Sequence, residues 1–387
     1  MQKSYFGSSF FHLTFLGTCM KKSALLLLTL LSPTLSFSAP DDAFLTAQNL
    51  KADHAKLKIS AQIDAVNETI DLFDLRESEG PVADGAGDYI GGKISAQYRL
   101  HPQFEIEGAW WQRSIDYTKD TNDLSSWLVG LNFFPNLPLD KNDTVKIRTS
   151  LWGNFADELA KTTPTQVNNH QFTQVKVFDP FDIQAQVDAI FSRRLDNMNQ
   201  LNGFIQLGYS KVSVDSLNLH LKRGGCLFNL DIEKNNQFYA QNVAPCKLNP
   251  TDNGTIEHIS MIGNANEYNI DVDKDMNYDA FYAGLGASWN WRYQDFESQI
   301  AYQYQRLWRS EIDDRVANFG HNAVTSNHTF GVKLSYDLRP ELTVYADGQL
   351  FQKNFIGTIP FIYNGVTASR LDRRYGLASL GVKWRHF

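Results

Sequence analysis

The sequence predicts an all-β chain, a transmembrane antiparallel up-and-down β-barrel of about twelve strands with short periplasmic turns and long extracellular loops. Three observations predict it. Apolar and polar residues alternate along twelve stretches, an export signal precedes them, and the connections sort into a short set and a long set. The clearest stretch has Phe281, Ala283, Leu285, Ala287, Trp289 and Trp291 on one parity and Tyr282, Gly284, Gly286, Ser288, Asn290 and Arg292 on the other. Period-2 alternation gives a strand two faces in different environments. After export, the apolar face is expected outward against lipid and the polar face inward.

The chain begins with residues 1–19, read as an upstream extension. Residues 20–38 have the three parts of a signal peptide. Lys21 and Lys22 give a positive start, Ala24 to Leu31 an apolar core too short to span a bilayer, and Ser36 and Ser38 the small residues before a cut. Cleavage after Ser38 keeps Pro40 away from the scissile bond. Residues 39–55 carry no alternation and form an N-terminal segment, in the periplasm or in the lumen.

The barrel proper occupies 56–387, with strands expected at 56–67, 88–100, 103–117, 125–135, 143–155, 180–194, 200–214, 278–293, 295–310, 327–338, 341–356 and 373–387. Most exceed the roughly 9 to 11 residues that a tilted strand needs to cross a bilayer. Each reads as a strand for the same reason. Ile90, Ile94, Tyr98, Phe104, Ile106 and Trp110 hold one parity early in the chain, and Phe330, Val332, Leu334, Tyr336 and Leu338 hold it late. Aromatics gather near strand ends at Trp127, Phe133, Trp289, Trp291, Tyr293, Trp308 and Trp384, as interfacial girdles require. The short connections include 101–102 and 339–340. The long set is 68–87, 118–124, 156–179, 215–277, 311–326 and 357–372. An even strand count returns both termini to the periplasm.

Composition excludes other classes. Hydrophobic residues make up 43% of 387, and no run suits a bundle of membrane helices. Net charge is −7 with no basic stripe, so no nucleic-acid partner is expected. Beyond the signal only Cys226 and Cys246 remain, and an even pair in an exported chain reads as a disulfide.

Signal, alternation, sorted loops and a terminal aromatic together make 56–387 resemble Gram-negative outer-membrane β-barrel proteins of the porin-like class. The resemblance implies a bacterial outer-membrane location, contact with outer-membrane lipid, and a C-terminal strand read by the barrel-assembly machinery. Trp384 and Phe387 are the residues that match that signal. Phe387 departs from the pattern, because it lies out of phase with Leu380, Val382 and Trp384.

With the apolar parity on lipid, the expected pore-lining residues are Lys93, Arg99, Arg113, Lys146, Arg148, Arg194, Arg292, Arg309, Lys333 and Lys353, with Glu105, Glu107, Asp188 and Asp347. A basic excess raises the local concentration of anions. The expected function is a porin-like channel for small polar, anionic-leaning solutes. The alternative is a surface adhesin, receptor or translocation barrel with a plugged lumen, in which the long loop 215–277 carries the role. An outer-membrane lipase or protease is a third reading. Its compact Ser/His/Asn cluster is Ser326-Asn327-His328, with no G-x-S-x-G motif, so no enzyme and no catalytic residue is expected. No cofactor or metal is expected either. Asp271, Asp273 and Asp275 alternate as calcium ligands do, but Met276 and Tyr282 stand where a calcium loop wants Gly and Glu. Homo-oligomerisation stays open.

Overall fold

A computed structural model describes Phe44 and residues 55–66, 89–117, 120–162, 165–167, 170–249, 254–268, 270–318, 322–353, 358–364, 368, 372 and 374–387. The upstream extension, the signal peptide and most of 39–55 lie outside the described residues.

Among the described residues nineteen strands follow in chain order. They are β1 (Leu57–Val66), β2 (Tyr89–His101), β3 (Phe104–Tyr117), β4 (Asp120–Phe133), β5 (Asp143–Phe155), β6 (Glu158–Lys161), β7 (Thr165–Val167), β8 (His170–Phe178), β9 (Phe181–Arg194) and β10 (Asn199–Ser213). Then come β11 (Ser216–Arg223), β12 (Cys226–Glu233), β13 (Gln237–Asn242), β14 (Ser260–Asn264), β15 (Tyr278–Tyr293), β16 (Phe296–Arg309), β17 (Ser326–Arg339), β18 (Leu342–Phe351) and β19 (Tyr375–His386). Twelve of them close into an antiparallel barrel in the order β1-β2-β3-β4-β5-β9-β10-β15-β16-β17-β18-β19, with β19 pairing back onto β1. Among the described residues, short helices α1 (Val272–Met276) and α2 (Ile312–Asn318) lie in the long connections.

The alternation points outward as expected. Ile63, Ile94, Leu207 and Phe281 are each about two-thirds exposed (65%, 64%, 65% and 64%), whereas Ser288 and Asn290 are 4% and 0% exposed. Soluble proteins rarely leave apolar patches of this extent uncovered. Around a closed ring of strands they form a belt for the hydrocarbon of a bilayer, where closure also leaves no unpaired strand edge. Fold and belt define a transmembrane β-barrel of the outer-membrane type.

Two departures from the sequence expectation concern the long-loop end. Strand β4 starts at Asp120 rather than 125, because its pairing with β3 continues to Tyr117–Asp120, and the link expected at 118–124 shrinks to two residues. More consequentially, the connections 156–179 and 215–277, expected as loops, fold into a second sheet of seven strands. Its order is β14-β13-β12-β11-β8-β6, with β7 on β8. Phe172, Leu217, Leu219, Ile232 and Phe238 pack one face of it against Val272 and Met276 of α1. Cys226 and Cys246 are joined as the expected disulfide. The tight β11–β12 turn runs through Gly224, at φ 61°, where a Cβ would sit 1.9 Å from the Leu248 carbonyl oxygen. Glycine is the residue that tolerates this backbone.

Candidate functional site

The inward positions of the barrel form tiers. Nearest the short turns, a cavity of about 490 Å³ is lined by charged side chains and by residues of the turns themselves, including Phe134, Lys141, Asn142 and Asp295. It therefore opens at the short-turn end. Ten basic and five acidic side chains line it.

Most of the lining charges are braced. Arg148 bridges Glu107 at 2.5 Å and Asp188 at 3.3 Å across β3, β5 and β9. Lys58 and Arg99 both approach Glu105, at 3.2 and 3.5 Å. Arg292 holds Glu297 at 3.2 Å and Asp337 at 2.6 Å, and Arg385 approaches the other oxygen of Asp337 at 2.5 Å. Buried charges persist only with partners of this kind. Cations also rest on rings. The Lys93 ammonium lies 4.3 Å from the centre of the Trp111 ring, and that of Lys333 lies 4.1 Å from Tyr345.

Side-chain amides crowd the wall on one side of the lumen. Gln184, Gln186, Gln206, Gln303, Asn202 and Asn290 turn inward from β9, β10, β15 and β16 and are buried. Asn202 donates to the Ser288 hydroxyl at 2.9 Å, and the Tyr282 hydroxyl donates to Gln186 Oε1 at 3.1 Å.

The outer tier is apolar and filled. Ile115, Leu124, Val212, Tyr278, Leu307, Phe351 and Tyr375 face inward at the long-loop ends of their strands. Ile359, Phe361, Ile362 and Tyr363 from the β18–β19 connection pack into them, with Ile312 and Val316 of α2. Hydrogen bonds fasten this plug to the wall. Tyr278 donates its hydroxyl to the Pro360 carbonyl at 2.7 Å, and Asn154 Nδ2 donates to the Thr358 carbonyl at 3.1 Å. The Arg309 guanidinium lies 3.8 Å from the Tyr363 ring centre, and the Tyr363 hydroxyl donates to Asp313 at 3.0 Å. Burial, with the nearby Asp313 charge, pushes the Tyr363 hydroxyl up to about 12, while Arg309 opposes the shift.

These tiers separate the residues singled out from the sequence. Lys93, Arg99, Lys146, Arg148, Arg194, Arg292, Lys333, Glu105 and Glu107 line the large cavity. Asp347 lines a neighbouring one of about 140 Å³. Asp188 stands behind Arg148. Arg113 lies buried above the cavity, donating to Ser126 at 2.8 Å and Asn154 at 3.3 Å. Arg309 belongs to the plug. Lys353 follows the end of β18 and pairs with Asp372 at the long-loop rim. Trp384 and Phe387 are exposed at the short-turn end, on and just after β19.

Ser326 and His328 share the outward face of β17, where His328 Nδ1 meets the Tyr302 hydroxyl at 2.7 Å, and Asn327 turns inward to Lys353. Asp271 caps α1 by accepting from the Lys274 backbone N–H at 3.2 Å, and Asp275 pairs with Arg315 of α2 at 2.6 Å. Burial raises Asp275, with the Arg315 charge opposing. Among the described residues no cluster of three or more metal-ligating side chains occurs.

Sequence reasoning missed the plug and an inward trio, Trp111, Leu128 and Trp152. The signal was present. On the inward parity, Ser288 and Asn290 of β15 give way to Tyr282, Ala280 and Tyr278 toward the long loop.

No family model and no curated protein sequence matches the chain. Solved structures of similar outline exist. The translocator domain of the autotransporter NalP from Neisseria meningitidis is 8% identical over 86% of this chain and 90% of its own, at a TM-score of 0.43. The NanC porin is 8% identical over 85% and 99%, at 0.38. The CymD monoaromatic hydrocarbon channel is 9% identical over 91% and 95%, at 0.35.

Proposed function

We propose that the chain is a channel of the bacterial outer membrane for small polar, preferentially anionic solutes, with its outer mouth closed by a gate. The observation that carries the reading is the charged cavity of about 490 Å³, open at the short-turn end and twice as rich in basic as in acidic lining residues. A barrel that served only as an anchor has no need of a hydrated, positively biased chamber. Such a chamber concentrates anions. The stop above it is built largely by a connecting segment, 358–364, so the passage opens by moving that segment and not the wall.

Planar-bilayer recording on refolded full-length protein tests this. Single-channel steps are expected, brief in the native chain and frequent in Phe361→Ala, with a reversal potential that favours anions. Absence of steps above lipid background in both proteins would overturn it.

The second sheet favours one other reading, a surface receptor. It has its own apolar core and a disulfide, and Tyr239 and Ile262, paired across β13 and β14, are exposed. Loss of cell or ligand binding in Ile262→Asp, with conductance unchanged, would favour the receptor.

A further inference from the structure

Phe44 lies in sequence well before β1, yet its ring is inside the barrel. It is buried, packs on Ala301 of β16, and borders both the 490 Å³ and the 140 Å³ cavities. The wall is shaped to receive it. At Gly331 of β17 an added Cβ would lie 2.7 Å from Phe44 Cζ and 3.1 Å from Cε2. Only a residue without a side chain leaves room for the ring there. Ala301, paired opposite Gly331 in the sheet, is the next smallest residue. Lys333, one inward position along β17, holds its ammonium 5.6 Å from the Phe44 ring centre, within cation–π range. Glycine within a strand weakens it, and close approach of another group is a common reason for its presence. Here the group that approaches is part of the chain itself.

We infer that the Gly331–Ala301–Lys333 seat is a docking site for the Phe44 ring, and that the docked ring narrows the passage. The role in conduction rests on the channel reading above; the docking does not. Residues 44 and 55 are eleven steps apart, so the linker spans at most about 40 Å when extended. A released Phe44 can therefore leave the seat while β1 stays in the barrel. The device works from the cavity side, independently of the gate at the outer mouth.

The experiment uses full-length refolded protein. In Phe44→Cys/Gly331→Cys, dibromobimane is expected to join the two thiols, read by mass spectrometry of the linked peptides. Phe44→Ala is expected to raise single-channel conductance two- to threefold in the Phe361→Ala background. Linking residues 44 and 331 in that background is expected to hold conductance at the low level. In Gly331→Val/Ala43→Cys, which keeps the Phe44 ring, the filled seat should speed labelling of residue 43 by a soluble maleimide at least tenfold over Ala43→Cys alone. Heat-shifted mobility on gels confirms that each variant is folded. Failure of the 44–331 link in a folded barrel, with equal labelling of residue 43 in Ala43→Cys and Gly331→Val/Ala43→Cys, overturns the docking. A link that forms while Phe44→Ala leaves conductance unchanged overturns the narrowing role. A link that forms in a barrel that never conducts sinks the channel reading and the narrowing role, and leaves the docking standing.

Discussion

The two ends of the lumen are made by the same twelve strands, and they differ in what their inward positions carry. At the short-turn end those positions hold charge, braced across strands through pairs such as Arg148 with Glu107 and Asp188. At the long-loop end they hold Ile115, Leu124, Leu307 and Phe351, which bury the apolar segment Ile359 to Tyr363. The first end is braced and hollow, because most of its charges hold partners across strands and a cavity of about 490 Å³ lies between them. The second is dry and modular, because its filling is a loop held by packing and a few hydrogen bonds. The comparison teaches that stability and closure reside in different halves, so that a passage could open without disturbing the barrel.

The largest effects should come from breaking each half separately. Phe361 is 2% exposed. Phe361→Ala removes a buried ring at a cost of about 3–5 kcal/mol where the site cannot collapse. Open probability in bilayers should rise by more than tenfold, with the heat-modifiability transition of the barrel on gels unmoved. Arg148→Ala should do the opposite. It strands Glu107 and Asp188 in the wall, and removing one partner of a buried ion pair costs about 3–5 kcal/mol. The barrel transition should fall by many degrees, while gating at permissive temperature stays native. Equal effects of the two variants on both readouts would erase the division between the halves.

Next in size is the disulfide, which closes a segment with a sequence separation of 20 in the second sheet. A loop of that length is worth about 3 kcal/mol. In Cys226→Ser/Cys246→Ser, proteolysis should reach β12 and β13 first and leave the barrel strands protected. Because Leu159 of β6 packs on the plug, a modest rise in open probability should accompany it.

How much of this was legible follows from which interactions are local. The strands were legible because period-2 alternation is a local pattern imposed by lipid on one face. β5 and β15 begin and end where the alternation does. The charged tier was legible from the same parity, since Lys93, Arg148 and Glu107 sit opposite the lipid-facing residues. The plug was not, because Phe361 and Tyr363 lie in a connection whose apolar residues have no period, and their partners come from elements scattered along the chain. The second sheet was missed for a related reason. Its strands are short, and β11 and β12 bury one face against α1, so loop length outweighed their weaker alternation. Residues 39–55 were read as a periplasmic or lumen segment, but nothing singled out Phe44, because its seat is formed by Ala301 and Gly331, far along the chain.

The smallest expected effect sharpens the comparison most cleanly, because it touches the plug by one proton. The Tyr363 hydroxyl is pushed up to about 12 by burial, against an ordinary value of about 10. A folded value above the unfolded one means that the neutral hydroxyl stabilises the packed plug fully below about pH 10. That contribution is lost as pH rises through 12. The ionised oxygen would face Asp313, to which the hydroxyl now donates. Open probability should therefore climb between pH 10 and 12 in the native chain. The control is Tyr363→Phe, which keeps the ring under Arg309 and removes the proton. The climb should be flattened in that variant. An unchanged climb would show that the Tyr363 hydroxyl does not carry the pH response.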